Sequence, residues 1–134
     1  MKQSLIDTDI LSMFFKGNEK VVENFKAYLN EYDKITFSMI TYYEIVSGLK
    51  HRDAHRQMSS FLDFAEQNII LNLTIESIEI SATIYSDLCK KGTPIDDIDL
   101  LIAGVALGNN LNMVTNNTSH FDRIKELNVN NWSI

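Results

Sequence analysis

The sequence predicts an α/β domain: a three-layer sandwich in which a central, mostly parallel sheet of four or five strands is flanked by helices. Two observations carry this. Short β-rich runs (Leu5-Ile6, Ile35 to Phe37, Ile69 to Leu71 and Leu111 to Thr115) alternate with longer segments of helical apolar spacing. The composition, 45% hydrophobic with one proline and five glycines in 134 residues, describes a helix-rich globule and excludes disordered and collagen-like classes. The length is that of one domain spanning residues 1–134, enough to bury about two thirds of the unfolded surface. No repeat, low-complexity stretch or linker divides it.

Leu5 and Ile6 near the start are residues of the kind a buried strand carries, and Asp7 follows without a gap. An unpaired carboxylate buried beside a strand is costly, so Asp7 belongs at the open carboxyl end of a central strand, where α/β sheets hold ligands. Asp7 and Asp9 are both of the type favoured at a helix N-terminus. Asp9 is read as the cap, which leaves Asp7 facing the crevice. Gly17-Asn18 separates a short first helix from a second, whose stripe is Val21, Val22, Phe25, Tyr28 and Leu29. After the strand Ile35 to Phe37, Ser38 caps a helix from Met39 to about Lys50, with Ile40, Tyr43 and Val46 on one face. Met58, Phe61, Leu62 and Ala65 mark the next helix.

Thr74 caps a helix that follows the strand Ile69 to Leu71 and carries two apolar stripes. One is Ile75, Ile78, Ala82, Tyr85 and Cys89; the other is Ile80, Ile84 and Leu88. Two stripes predict a helix largely surrounded by protein. Lys90-Lys91-Gly92 ends it with cations and a C-terminal glycine. Ile98, Leu101, Ile102, Val105 and Ala106 define a further helix ending near Gly108, and Asn128 to Trp132 is the expected edge strand.

The single Cys89 has no disulfide partner and reads as a small core residue in a reducing, cytoplasmic setting. The apolar run Leu100 to Leu107 is far short of the roughly 20 residues of a membrane span, and Asp7 and Asp9 stand where an export signal would be apolar. A net charge of −6 argues against coating nucleic acid through bulk charge. It leaves room for a nuclease whose acids are neutralised by a cation while a local basic strip meets phosphate.

Four stretches can carry chemistry. Asp7 is the first. Glu44 lies two turns into the helix capped by Ser38, where a solvated side chain or a capping box with Thr41 is the plainer account. Asp96, Asp97 and Asp99 crowd a helix start, which the helix dipole favours in any protein. The helix beyond them has no polar face, so Asp99 is drawn inward and needs a partner. Asn117 sits in the polar loop Thr115 to Arg123, where His120 or Arg123 could meet phosphate. Lys50, Arg52 and Arg56, with His51 and His55, form a basic strip near Glu44. The two histidines have zinc-helix spacing, but Arg52 stands where the zinc-protease motif has Glu.

Taken together, LIDTDIL with Asp7, SMITYYEIVSGL with Glu44, PIDDIDLLIAGVAL with Asp99 and MVTNNTSHFDRI with Asn117 resemble the PIN-domain ribonucleases, most closely the VapC-like toxins of type II toxin-antitoxin pairs. The resemblance covers nearly the whole chain and implies a PIN-like fold. It makes Asp7, Glu44 and Asp99 metal-binding carboxylates that, with Asn117, form the catalytic set. Asp96, Thr8 and Thr115 would support them, and Lys50, Arg52, Arg56 and Arg123 would meet RNA. The implied activity is Mg²⁺- or Mn²⁺-dependent endoribonucleolytic hydrolysis, with tRNA the leading substrate. The implied partners are a second copy of the chain and a small antitoxin, through which alone DNA is met. Many family members carry a fourth acid where this chain has Asn117. Two rivals stand beside this: a haloacid-dehalogenase-like phosphatase using Asp7 and Asp9, and a PIN-like module that binds RNA or protein without cutting. A signalling receiver domain lacks the lysine it needs after Val114-Thr115.

Overall fold

The computed structural model describes residues 1–134. The elements run β1 (Ser4–Ile6), α1 (Thr8–Phe15), α2 (Glu19–Glu31), β2 (Thr36–Ser38), α3 (Met39–His51), α4 (His55–Gln67), β3 (Ile69–Leu71), α5 (Ile75–Lys90), α6 (Asp97–Gly108), β4 (Asn112–Val114), α7 (Thr118–Phe121) and β5 (Val129–Asn130). The five strands form one sheet in the order β3-β2-β1-β4-β5, and every pairing is parallel. From β1 the chain builds outward through β2 and β3. It then crosses back through α5 and α6 to place β4 on the other side of β1. The reversal puts the topological switch point between the carboxyl ends of β1 and β4, where open α/β sheets bind ligands.

Alternation along each strand divides the interior into two cores. Leu5 and Met113 point to the face covered by α5 and α6, with Ile84, Leu88, Ile102 and Val105. Ile6 and Val114 point to the opposite face, with Ile10, Phe25, Phe37 and Phe61. All four strand residues are fully buried, as expected of a sheet covered on both sides.

Local chemistry sets the helix starts. Ser38 accepts a hydrogen bond from Thr41 N at 3.1 Å, so α3 begins directly after β2 and Glu44 lies in its second turn. Thr74 and Ser77 close a reciprocal capping box on α5. The close approach of α5 and α6 depends on Gly104: a Cβ there would lie 2.0 Å from Ser81 Oγ and 2.4 Å from Ser77 O. Ser81 Oγ donates to Leu100 O at 2.7 Å, tying the first turns of α6 to α5.

The structure corrects three expectations. Asp7, not Asp9, occupies the N-cap of α1. Asp7 N donates to Val114 O at 2.8 Å, which continues the β1–β4 pairing through Asp7 and keeps it extended, while its carboxylate accepts from Thr8 N. Asp9 is thereby placed inside the helix. Second, α5 is covered on one side only: Ser77, Ser81, Ile84 and Leu88 are buried, whereas Ile75 is 78% and Tyr85 51% exposed. Its outer stripe is left largely exposed. Third, Cys89 belongs to that stripe and is exposed rather than in the core. No helix is long and apolar enough to cross a membrane.

Candidate active site

The carboxyl ends of β1 and β4 each deliver a polar group into the crevice. Asp7 leaves β1 buried, 6% exposed, with Oδ1 accepting from Thr8 N at 2.8 Å and Oδ2 accepting from the Thr115 hydroxyl at 2.7 Å. Thr115 follows β4 and is fully buried; its Oγ1 also accepts from Asn117 N at 3.0 Å. Asp9, two residues beyond Asp7, accepts from Ile10 N at 2.7 Å and from Asn116 N at 3.0 Å. It pins the loop after β4 against the start of α1.

Glu44 reaches the same region from α3. Its Oε1 accepts from the Thr8 hydroxyl at 2.6 Å, and Thr8 Oγ1 also lies 3.0 Å from Thr41 Oγ1. Thr8 therefore links the helix that starts at Asp7 to the helix that carries Glu44. Asp99 approaches from the first turn of α6, and the partner its burial calls for is His120, whose Nδ1 lies 2.9 Å from Asp99 Oδ2. The Asn117 amide nitrogen is 2.9 Å from the same Nδ1 and 3.5 Å from Asp99 Oδ2. Nδ1 serves one of them at a time: carrying hydrogen it donates to Asp99, and without it accepts from Asn117.

The electrostatics follow from this crowding. The Asp7 pKa is raised from 3.8 to about 7, chiefly by burial and then by the Asp9 charge, with the Asp99 charge acting in the same direction. Hydrogen bonds from Thr115 and Thr8 pull it back only in part. Burial also raises Asp9, against the hydrogen bonds from Ile10, Asn116 and Thr115. A carboxylate buried among other acids has to hold a proton or meet a cation.

The residues expected from sequence are not all gathered here. Asp7, Glu44, Asp99 and Asn117 are joined by a chain of hydrogen bonds through Thr8 and Thr115, yet no three His, Cys, Asp or Glu side chains are grouped so as to hold a metal ion. Asp96 is exposed and its carboxylate caps α6 through Ile98 N. Arg123 donates to Pro94 O at 2.7 Å, which holds the α7 region to the loop before α6. Of the basic strip, Arg52 and Arg56 line a cavity with Glu44 and Thr8, and Lys50 does not. Sequence reasoning missed Lys16, Ser12 and Gln57 on that cavity. The spacing of Thr8, Ser12 and Lys16 by fours, which sets them on one face of α1, was the available signal. Asp9, which a phosphatase would need as a free acid–base group, is instead occupied by two backbone amides.

A parallel α/β sheet whose switch point is lined by buried and half-buried acids defines the class of protein. The PIN domain family model matches residues 4–127, and the chain belongs to the PIN-domain family. Among curated relatives, "Ribonuclease VapC1" of Methanocaldococcus jannaschii is 33% identical over 122 residues, covering 91% of this chain and 81% of the relative. The "tRNA(fMet)-specific endonuclease VapC" of Shigella flexneri is 29% identical over 134 residues, covering 99% of this chain and 100% of the relative. Among solved structures, DNA-bound VapBC from Salmonella typhimurium superposes with a TM-score of 0.87 at 27% identity, covering 98% of this chain and 99% of the other. VapBC2 from Rickettsia felis, bound to a promoter DNA fragment, gives 0.85 at 28% identity, covering 96% and 98%.

Proposed function

We propose that this chain is a metal-dependent endoribonuclease, the toxin of a toxin-antitoxin pair, that hydrolyses RNA phosphodiester bonds with tRNA as the leading substrate. The observation that carries the reading is Asp7: a buried carboxylate at the end of the central strand, loaded by the charges of Asp9 and Asp99. Asp7, Asp99 and Glu44 would hold the ion. Their donor set is all oxygen, which suits Mg²⁺ or Mn²⁺. Mg²⁺ keeps several waters and takes few protein carboxylates, so the ion would bring much of its own coordination sphere to side chains that are not themselves grouped as a three-ligand site. When bound, such an ion makes its water more acidic and stabilises charge on phosphate oxygens.

The chain's own groups prepare the site. Thr115 fixes Asp7, Thr8 holds Glu44, and His120 with Asn117 holds Asp99, so the acids are oriented before substrate arrives. Asn117 in place of a fourth acid favours one tightly held ion over two. The relatives named as VapC ribonucleases and the tRNA(fMet)-specific one support the RNA assignment. The VapBC complexes on DNA support a small antitoxin as partner, with DNA met through it. A homodimer is part of the same reading, and the outer stripe of α5 is the apolar face it would cover.

Incubating the purified protein with total tRNA tests the proposal. Cleavage in Mg²⁺ or Mn²⁺ that stops with EDTA and in Asp7→Asn and Asp99→Asn supports it. Cleavage that survives chelation, or both substitutions, defeats it.

A further inference from the structure

The loop Thr115 to Asn117 crosses between two of the acids. Thr115 Oγ1 donates to Asp7 Oδ2 at 2.7 Å, and the Asn117 amide nitrogen lies 3.5 Å from Asp99 Oδ2. Asn116, between them, is held from two sides. Its backbone N–H donates to Asp9 Oδ2 at 3.0 Å, which fixes it to α1. Its side chain turns instead to the segment after β5: Asn116 Oδ1 accepts from Asn131 Nδ2 at 3.0 Å and from Ser133 Oγ at 2.9 Å. Asn116 is exposed, so water competes for that oxygen. The two contacts restrain the loop only if their donors are already fixed.

They are fixed by what surrounds them. β5 runs parallel to β4 with Asn130 opposite Val114, and Thr115 N donates to Asn130 O at 2.9 Å. Asn131 then closes a turn on itself, its Oδ1 accepting from Ser133 N at 2.9 Å, as Asn side chains do in Asx turns. Trp132, between the two donors, is 7% exposed. Its ring centroid stands 5.5 Å from those of Phe25 and Tyr28 on α2, and its carbonyl accepts from Asn24 Nδ2 at 3.0 Å. Helix α2 therefore grips the middle of the segment, and the residues on either side of the indole converge on one oxygen of Asn116. The Ser133 hydroxyl has a single hydrogen and also lies 2.6 Å from Asn131 Oδ1, so it serves one acceptor at a time. The Asn131 amide is the steadier donor.

We propose that Asn131 and Ser133 are positioning residues: anchored through Trp132, they clamp Asn116 and so keep Thr115 on Asp7 and Asn117 beside Asp99. For its catalytic consequence the proposal rests on the nuclease reading, which makes Asp7 and Asp99 metal carboxylates. Neither Asn131 nor Ser133 bonds to an acid; both act through the loop. Because Thr115 and Asn117 are the immediate neighbours of Asn116, a shift of that one residue disturbs the support of both acids. Hydrogen bonds that water can replace add little to global stability. Their loss is therefore felt as local opening of the loop and not as unfolding.

Asn131→Ala with Ser133→Ala in the full chain removes the clamp, and two readouts follow it. In the metal-free protein, amide hydrogen exchange by NMR at Asn116 and Asn117 accelerates on the order of tenfold, the scale of one lost hydrogen bond. Met113 in β4, whose amide donates to Asn128 O, keeps its rate, and Tm falls by less than about 5 °C. With total tRNA and Mn²⁺, kcat falls on the order of tenfold while KM stays within about twofold, as expected when the reacting groups are misplaced and RNA contacts are not lost. Asn116→Ala reproduces both changes with the Asx turn and the Trp132 anchor intact, and covers the case in which the double variant unfolds. Exchange at Asn116 and Asn117 that stays at the wild-type rate overturns the proposal. So does acceleration that spreads equally to Met113, which assigns the segment to the support of the sheet. The two readings fail separately. A wild type that cuts RNA only with metal, with kcat unmoved by either variant, keeps the nuclease and loses the positioning role. One that never cuts, yet shows the exchange confined to the loop, loses the nuclease and keeps the clamp.

Discussion

Replacing Asp7 by Asn is expected to make the metal-free protein more stable while abolishing its activity. The carboxylate is buried and its pKa stands at about 7 against 3.8 for an ordinary Asp. A group whose folded-state pKa is raised holds its proton more tightly in the fold, so its contribution is favourable below about pH 4 and is lost as pH rises through 7. At 1.36 kcal/mol per unit, the charged Asp7 costs the fold about 4 kcal/mol near pH 8 and less than about 1 near pH 4. Asn has the same shape and removes the charge. Its Oδ1 can accept from Thr8 N, and its Nδ2 can donate to Thr115 Oγ1, which turns its own hydrogen toward Asp9, 3.4 Å away. Urea titrations in EDTA at the two pH values read the difference. Asp7→Asn should gain several kcal/mol at the higher pH, a rise in Tm on the order of 10 °C, and almost nothing at the lower. A variant no more stable than wild type near pH 8 would refute the claim that Asp7 is strained by burial and by its acidic neighbours.

Gly104→Ala drives a Cβ into Ser81 Oγ and the Ser77 carbonyl, and because one obstacle is backbone the α5–α6 pair must separate; a loss of about 3 kcal/mol or more is expected in chemical denaturation. Asn117→Asp adds a carboxylate beside Asp99, so the metal-free protein loses stability near neutral pH while Mn²⁺ binds roughly tenfold tighter by calorimetry, following the added ligand charge. If the proposed homodimer forms through the exposed stripe of α5, Ile78→Asp with Tyr85→Asp converts it to a monomer in light scattering without changing the far-ultraviolet circular dichroism, and a wild type that is already monomeric contradicts that part of the proposal.

The strands and most helix starts were legible because they depend on near neighbours: Ser38 and Thr74 cap the helices their positions imply. The cap of α1 was not. Asp7 and Asp9 are equivalent locally, and the choice is made by Val114, whose carbonyl takes the Asp7 amide across the sheet. The α5 stripe misled for a different reason, since apolar spacing reports that a face is to be covered and not by which chain. Asp99 was recognised from the apolar helix behind it, whereas His120 as its partner required α7, a helix of 4 residues hidden in a polar loop. The cavity was invisible because Lys16, Arg52 and Gln57 meet only through the packing of three helices.

Titrating Mn²⁺ into the metal-free protein by calorimetry addresses the central claim without any assumption about RNA. If Asp7, Glu44 and Asp99 act as one pocket, wild type shows a single saturable site, and Asp7→Asn, Glu44→Gln and Asp99→Asn each weaken it at least about a hundredfold, more than 2.7 kcal/mol by the ordinary conversion of affinities. Binding that is indifferent to any one of the three would contradict the account.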